Sequence, residues 1–345
     1  MDHKNAPSFI LEKNKLDIFS KIARDGYDNE EIEKYYLPAI ELGDVDAMFH
    51  LGTWYYLQWN YNKMIIYLMM AAENGHVISM YYLGLHYEKE ITTSAENYDL
   101  SVKYYKMAAH NDHAPSMVNL GALYQIYNES KLMKKYYHMA IGKNQSVAMH
   151  NLGTWYQRQQ DYDRMIKYYL MAIDAGYKAS MCSLANWYEQ QQNYCYMVKY
   201  YKMAAEKDDI GAINNLAKWY YSQNNYVLTL KYLQMGVKLG DNDAIFNLGI
   251  LYYEERDFDS AKPYFFMILE KGDKMVAEAL IKCLKKTNDT TGFLNMLKII
   301  NDIWSLDREP ELLNLLVTGS VFIKNLNCHE DIIKLFRLQL QSRKY

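Results

Sequence analysis

The sequence predicts an all-α fold: an α-solenoid, or superhelix, of stacked helix-turn-helix repeats of about 32 residues, right-handed and without strands. Three observations predict it. First, a leucine recurs as Leu51, Leu83, Leu120, Leu152, Leu184, Leu216, Leu248 and Leu280, a step of 32 everywhere except the 37 between Leu83 and Leu120. Second, the same register aligns Tyr55, Tyr87, Tyr124, Tyr156, Tyr188, Tyr220 and Tyr252, and later Tyr67, Tyr104, Tyr136, Tyr168, Tyr200, Tyr232 and Tyr264. Third, each period holds two stretches of helical spacing. Self-similarity at such a period is the mark of a repeat array.

The first stretch is read from Met149, Leu152, Gly153 and Tyr156, at i, i+3, i+4 and i+7, one apolar stripe of a helix. The second is read from Met165, Tyr169 and Ala172, at i, i+4 and i+7. Between the stretches an Asn or Asp precedes an aromatic residue: Asn60-Tyr61, Asn97-Tyr98, Asp161-Tyr162, Asn193-Tyr194, Asn225-Tyr226 and Asp257-Phe258. That pair suits a tight turn and the cap of the second helix. Gly43, Gly75, Gly176, Gly240 and Gly272 stand where the second helix needs a left-handed stop. Gly52, Gly84, Gly121, Gly153 and Gly249, with Ala185 and Ala217 in two units, follow the column leucine. A side chain there would hold the two helices apart, so close crossing is expected. One hairpin of this size cannot bury its stripe alone, so the units must stack.

The register divides the chain into residues 1–43, a degenerate N-terminal capping hairpin with Phe19 in the leucine column, and 44–273, seven repeats of which the second is five residues longer. Residues 274–300 form a degenerate repeat and 301–345 a pair of C-terminal capping helices, as arrays need to close their apolar ends. Methionine is columnar too. Met48, Met80, Met117, Met149 and Met181 lie on the first stripe. Met70, Met107, Met139, Met171, Met203, Met235 and Met267 fall about 140° from the centre of the second. They are expected to look outward, either covered by the tilt of the next unit or left as a soft adhesive strip.

Composition narrows the function. With a net charge of -3 and no concentrated basic run, the chain lacks the surface that neutralises phosphates, so no nucleic-acid partner is expected. The start has no apolar core of a signal, and no apolar run approaches the ~20 residues of a membrane span. A cytoplasmic protein is expected. Cys182, Cys195, Cys283 and Cys328 form no CxxC pair, which fits a reducing compartment. There is no GxSxG, no HExxH and no phosphate-cradling glycine loop, so neither an enzyme nor a cofactor is expected. In "AAHNDHAP" His110 and His113 flank Asp112, and solvated loop histidines are favoured over a metal site. His50 and His150 are expected on the surface of first helices.

The stretch "GTWYQRQQDYDRMIKYYLMA" (153–172) resembles the tetratricopeptide pattern of Leu-Gly-x-x-Tyr, then Asp-Tyr, then a helix ending in Ala. The junctions "MAAENGHVISMYYLG" (70–84) and "MAIDAGYKASMCSLA" (171–185) lack the tetratricopeptide proline and resemble Sel-one-like repeats. The resemblance spans about residues 27–300. The tyrosine-rich texture is also similar to repeat proteins of giant DNA viruses. The resemblance implies a protein-protein interaction scaffold or adaptor that holds a peptide or protein partner in the concave groove lined by first helices. The alternative is a mainly structural or self-associating array.

The resemblance also implies where such a partner would lie. The residue before the column leucine is His50, Tyr82, Asn119, Asn151, Ser183, Asn215, Asn247 and Ala279, and in tetratricopeptide-type arrays this position faces the groove. An amide offers donor and acceptor together and so matches an extended backbone whatever its side chains. Asn119, Asn151, Asn215 and Asn247 thus make a candidate ladder, flanked by His150, Thr154, Gln157 and Arg158, by Asn186 and Glu189, and by Lys218. The competing reading is that these asparagines cap local backbone or face water.

Overall fold

The computed structural model describes residues 29–303, Thr93 excepted. The described residues fall into two compact units, divided between Tyr177 and Lys178. The first holds helices α1 (Asn29–Glu41), α2 (Val45–Leu57), α3 (Tyr61–Glu73), α4 (Val77–Lys89), α5 (Ala95–His110), α6 (Ala114–Ile126), α7 (Ser130–Gly142), α8 (Ser146–Arg158) and α9 (Tyr162–Asp174). The second holds α10 (Lys178–Gln190), α11 (Tyr194–Ala205), α12 (Ile210–Ser222), α13 (Tyr226–Lys238), α14 (Asn242–Glu254), α15 (Phe258–Glu270), α16 (Ala277–Lys286) and α17 (Thr290–Ile303). No strand occurs among the described residues. The pairs α2/α3, α4/α5 and onward to α16/α17 are tandem hairpins, here numbered one to eight. Residues 1–28 of the expected N-terminal hairpin, Phe19 among them, and 304–345 of the C-terminal cap lie outside the described residues.

Local chemistry explains each bend. At the hairpin turn Trp59, Gln160, Gln192, Asn224 and Arg256 adopt φ between 56° and 62° or, for Asn224, 54°, ending the first helix in the left-handed region. The next residue, Asn60, Asp161, Asn193, Asn225 or Asp257, caps the second helix by accepting the N–H three residues on. Asn97 does not. The longer second repeat starts α5 early, Ser94 is its cap, and Asn97 lies in the first turn with its amide donating to the Glu90 carbonyl at 2.8 Å. Between hairpins the expected glycines have positive φ, and Asp112, Asn144 and Asp208 adopt the same conformation where glycine is missing.

His113 caps α6 through Nδ1, which accepts the Ser116 N–H at 3.3 Å, just as His76 caps α4. The His110 ring pairs with the Lys106 carbonyl at 2.6 Å. Among the described residues no group of three His, Cys, Asp or Glu is placed to hold a metal ion.

The column leucines are the centre of the core, all eight 0 % exposed. Met149, Tyr156, Met165, Tyr169 and Ala172 are buried beside Leu152. The periodic tyrosines have a specific use. In each of hairpins one to seven the two columns meet as a stacked pair, from Tyr55–Tyr67 to Tyr252–Tyr264, with centroids 5.5–5.8 Å apart and planes within 22° of parallel. Offset aromatic pairs of this kind contribute about 0.5–1.5 kcal/mol beyond the area they bury. In five of them a lysine preceding the second tyrosine stands 5.2–5.9 Å from its ring centroid, a cation–π contact.

Two surface expectations change. His50 is buried rather than exposed, tilted against the rings of Tyr36 and Phe49. The outer methionine column is half-buried from Met70 to Met235, and only Met267 is exposed. Met70 and Met107 pack against the core of the first unit, so that part of the column is structural cover.

Candidate functional site

The second tyrosine of each stack is followed by one more inward residue: Leu68, Tyr105, Tyr137, Tyr169, Tyr201, Leu233 and Phe265. The rings of Tyr105, Tyr137 and Tyr169 lie over Gly84, Gly121 and Gly153, where an added Cβ would come 2.5–2.7 Å from a ring carbon. The hydroxyl then reaches the far side of the hairpin and meets up to three polar positions. Two are on its own first helix, two and five residues after the column leucine. The third is on the next first helix, one residue before its leucine.

Most of the candidate ladder does this work. Asn119 donates to the Tyr105 hydroxyl at 3.1 Å while that hydroxyl donates to Glu88. Asn151 hydrogen-bonds to the Tyr137 hydroxyl, which donates to Gln125 at 3.0 Å. Around Tyr169 are Thr154 at 3.1 Å and Gln157, whose carbonyl accepts at 2.8 Å. The single Tyr201 hydroxyl proton is shared between the Asn186 and Glu189 oxygens, and Asn215 hydrogen-bonds to that hydroxyl. Burial pushes the Tyr137 hydroxyl up to about 12 and raises Tyr105 and Tyr201 as well, so these phenols remain donors at neutral pH.

His150 is half-buried, its ring 5.4 Å from Tyr169 and 5.1 Å from Tyr177, and burial depresses its pKa from the usual 6.5. The surface position expected for it is corrected: the tyrosines that surround it fold the ring inward. Arg158, at the end of α8, is exposed.

Hairpin six departs from this pattern. Leu233 stands where hairpins two to five have tyrosine, and Thr229 stands where Met64, Met133, Met165 and Met197 fill the core of four hairpins, with Ser101 and Ala261 in the other two. Both small side chains line a cavity of about 420 Å³, within the range of roughly 300–1,000 Å³ typical of ligand sites. Lys218, Tyr221 and Asn247 complete its wall, and they occupy the three positions that hold the tyrosine hydroxyl elsewhere. Asn215 and Asn214 line it too. The Asn214 amide donates to Asp241 at 2.9 Å, but its carbonyl oxygen is buried without a hydrogen-bond partner, an unusual state for a buried acceptor. Tyr221 donates to Glu254 at 2.7 Å across the rim. The structure thus brings Asn215, Lys218 and Asn247 together at one cavity.

Leu68 is the other leucine of the column, and it opens a smaller cavity of about 90 Å³, with Met64 and Tyr82 in its wall. The third inward column carries the site, and the sequence signal for it was the doublet "KYY" changing to "KYL" at 231–233.

The chain is similar to known repeat proteins. The tetratricopeptide repeat family model matches residues 148–179, all of the hairpin α8/α9 but the first two residues of α8. No curated protein matches the chain. Among solved structures, c5321, a protective antigen of uropathogenic Escherichia coli strains displaying an SLR fold, is 17% identical with a TM-score of 0.50 over 86% of this chain and 72% of its own. A Sel1 repeat protein from Oxalobacter formigenes is 21% identical with a TM-score of 0.47, covering 63% of this chain and 97% of its own. At such identity the likeness to the Escherichia coli protein is one of fold: tandem helix-turn-helix repeats of an α-solenoid.

Proposed function

We propose that the protein is an interaction scaffold that holds a peptide or protein partner against its first helices, with the cavity of hairpin six as the anchoring point. Tetratricopeptide- and Sel1-like arrays are typical protein-interaction scaffolds, which supports the general class. The observation that carries the specific reading is the convergence of Asn215, Lys218 and Asn247 on one cavity. Asn215 gives one bond to Tyr201 and keeps further amide capacity, and the hairpin before Asn247 offers it Leu233 in place of a tyrosine hydroxyl. Asn119 and Asn151 are committed to tyrosines in their own unit and serve the scaffold first. Self-association through an exposed methionine strip is less favoured, because Met267 alone of that column is exposed. Neither a viral source nor a compartment enters this reading. No described helix is long and apolar enough to cross a membrane.

Peptides selected from a random display library against the full chain test it. Each lost amide bond costs ~0.5–1.5 kcal/mol, so Asn215→Ala with Asn247→Ala should weaken the selected peptides about five- to a hundredfold, while folding loses only the Asn215 bond to Tyr201, again ~0.5–1.5 kcal/mol. Unchanged affinity for every selected peptide would sink the proposal.

A further inference from the structure

The geometry points to a tyrosine side chain of the partner as the group that enters the hairpin-six cavity. This deepens the scaffold reading and rests on it. Hairpins two to five display, in the chain itself, what this space is shaped to hold: a phenol ring against the first helix, its hydroxyl passed to polar residues two and five after the column leucine and to the residue before the next one. In hairpin six the ring is missing while its surroundings remain. Ala217 provides the surface on which the ring would rest, as Ala185 stands in the equivalent position beneath Tyr201. Thr229 and Leu233 leave the volume, and Ile250 and Leu251 give the opposite apolar wall.

The polar end is likewise retained. Asn247 takes the place of Asn119, Asn151 and Asn215, each of which hydrogen-bonds to a tyrosine hydroxyl. Tyr221 takes the place of Glu88, Gln125, Gln157 and Glu189, each of which accepts from one. The buried Asn214 oxygen lacks a donor, and a phenol or the backbone N–H beside it supplies one. A leucine or methionine side chain would fill part of the volume and leave the buried Asn214 oxygen unanswered, which is costly for a buried acceptor. Asn215, Lys218, Tyr221 and Asn247 are exposed at the mouth, so an entering phenol passes them with its hydroxyl leading toward Thr229 and the buried Asn214 oxygen.

The test uses the full chain with isotopically labelled Ile and Leu methyl groups, titrated with N-acetyl-tyrosinamide and, separately, N-acetyl-leucinamide. Saturable shifts at Ile250 and Leu251 are expected with the tyrosine amide, at least about tenfold stronger in affinity than with the leucine amide. Leu233→Tyr, which supplies the missing ring from within, should abolish them. Thr229→Met closes the cavity from its other side and serves should Leu233→Tyr not fold. No saturable shift, equal binding of the two amides, or undiminished binding in the folded filled variant would overturn the inference. Selected peptides that need Asn215 and Asn247 but bind Leu233→Tyr as well as wild type would overturn it while leaving the scaffold reading intact. Tyrosine-amide binding with no peptide sensitive to the asparagines would do the reverse.

Discussion

The Tyr169 ring sits over the backbone of Gly153, so close that a methyl group added to the glycine would come 2.7 Å from a ring carbon. The same contact joins Gly84 to Tyr105 and Gly121 to Tyr137. Glycine weakens a helix by about 1 kcal/mol relative to alanine. It persists here because the neighbouring ring occupies the space of a Cβ.

Gly153→Ala sets these two effects against each other. Overpacking of a tight core costs about 1–3 kcal/mol, which equals or exceeds the gain of about 1 kcal/mol in helix propensity, so a net loss of about 0–2 kcal/mol is expected in urea unfolding. In a Tyr169→Leu background the cost should shrink without vanishing: Ala217 coexists with Leu233 in hairpin six, but a Cβ on Gly52 would still come 2.8 Å from the end of Leu68. Equal effects in the two backgrounds would mean that the ring does not set the glycine.

Leu152 is 0 % exposed at the middle of its hairpin. Leu152→Ala should cost about 2–5 kcal/mol, from lost burial plus the cavity left behind. A cost below about 1 kcal/mol would show that neighbouring helices collapse freely into the gap.

Acid should weaken the fold through buried histidines. Burial lowers the pKa of His150, and of His86 and His113 as well, below the usual 6.5. The unfolded chain therefore takes up protons first. Stability is fully present above about pH 6.5 and declines as the pH falls below it. The urea midpoint should drop between pH 7.5 and 5, and His150→Gln should make that drop smaller. An identical pH dependence in the variant would remove His150 as a cause.

The repeat, the leucine column and the turns were legible because each is a local or strictly periodic signal. Asn60 before Tyr61 names its own cap, and Leu152 repeats at fixed distance. The ladder was legible only as a row of amides. Its first duty, holding hydroxyls such as those of Tyr105 and Tyr201, joins residues 14 apart on successive hairpins, and no single-helix pattern shows that partner. The site was harder still, because it arises from what is missing. Leu233 and Thr229 are ordinary core residues taken singly, and their joint smallness shows only against hairpins three to five, where tyrosine and methionine occupy both positions. His50 misled for a related reason: its position before the column leucine suggests surface, but the rings of Tyr36 and Phe49 cover it.

The two leucines of the third inward column should respond oppositely when tyrosine is restored. Leu233→Tyr places a ring in a cavity of about 420 Å³, with Asn247 and Tyr221 positioned for the hydroxyl, so stability should be unchanged or raised. Leu68→Tyr meets about 90 Å³, with Met64 and Tyr82 already in the wall and Gly52 tight against the present side chain. Overpacking there should cost about 1–3 kcal/mol. Urea unfolding of both variants at one pH decides between them. If Leu233→Tyr is as damaging as Leu68→Tyr, the hairpin-six space does not accept a ring in the orientation its neighbours use, and the cavity is a packing gap.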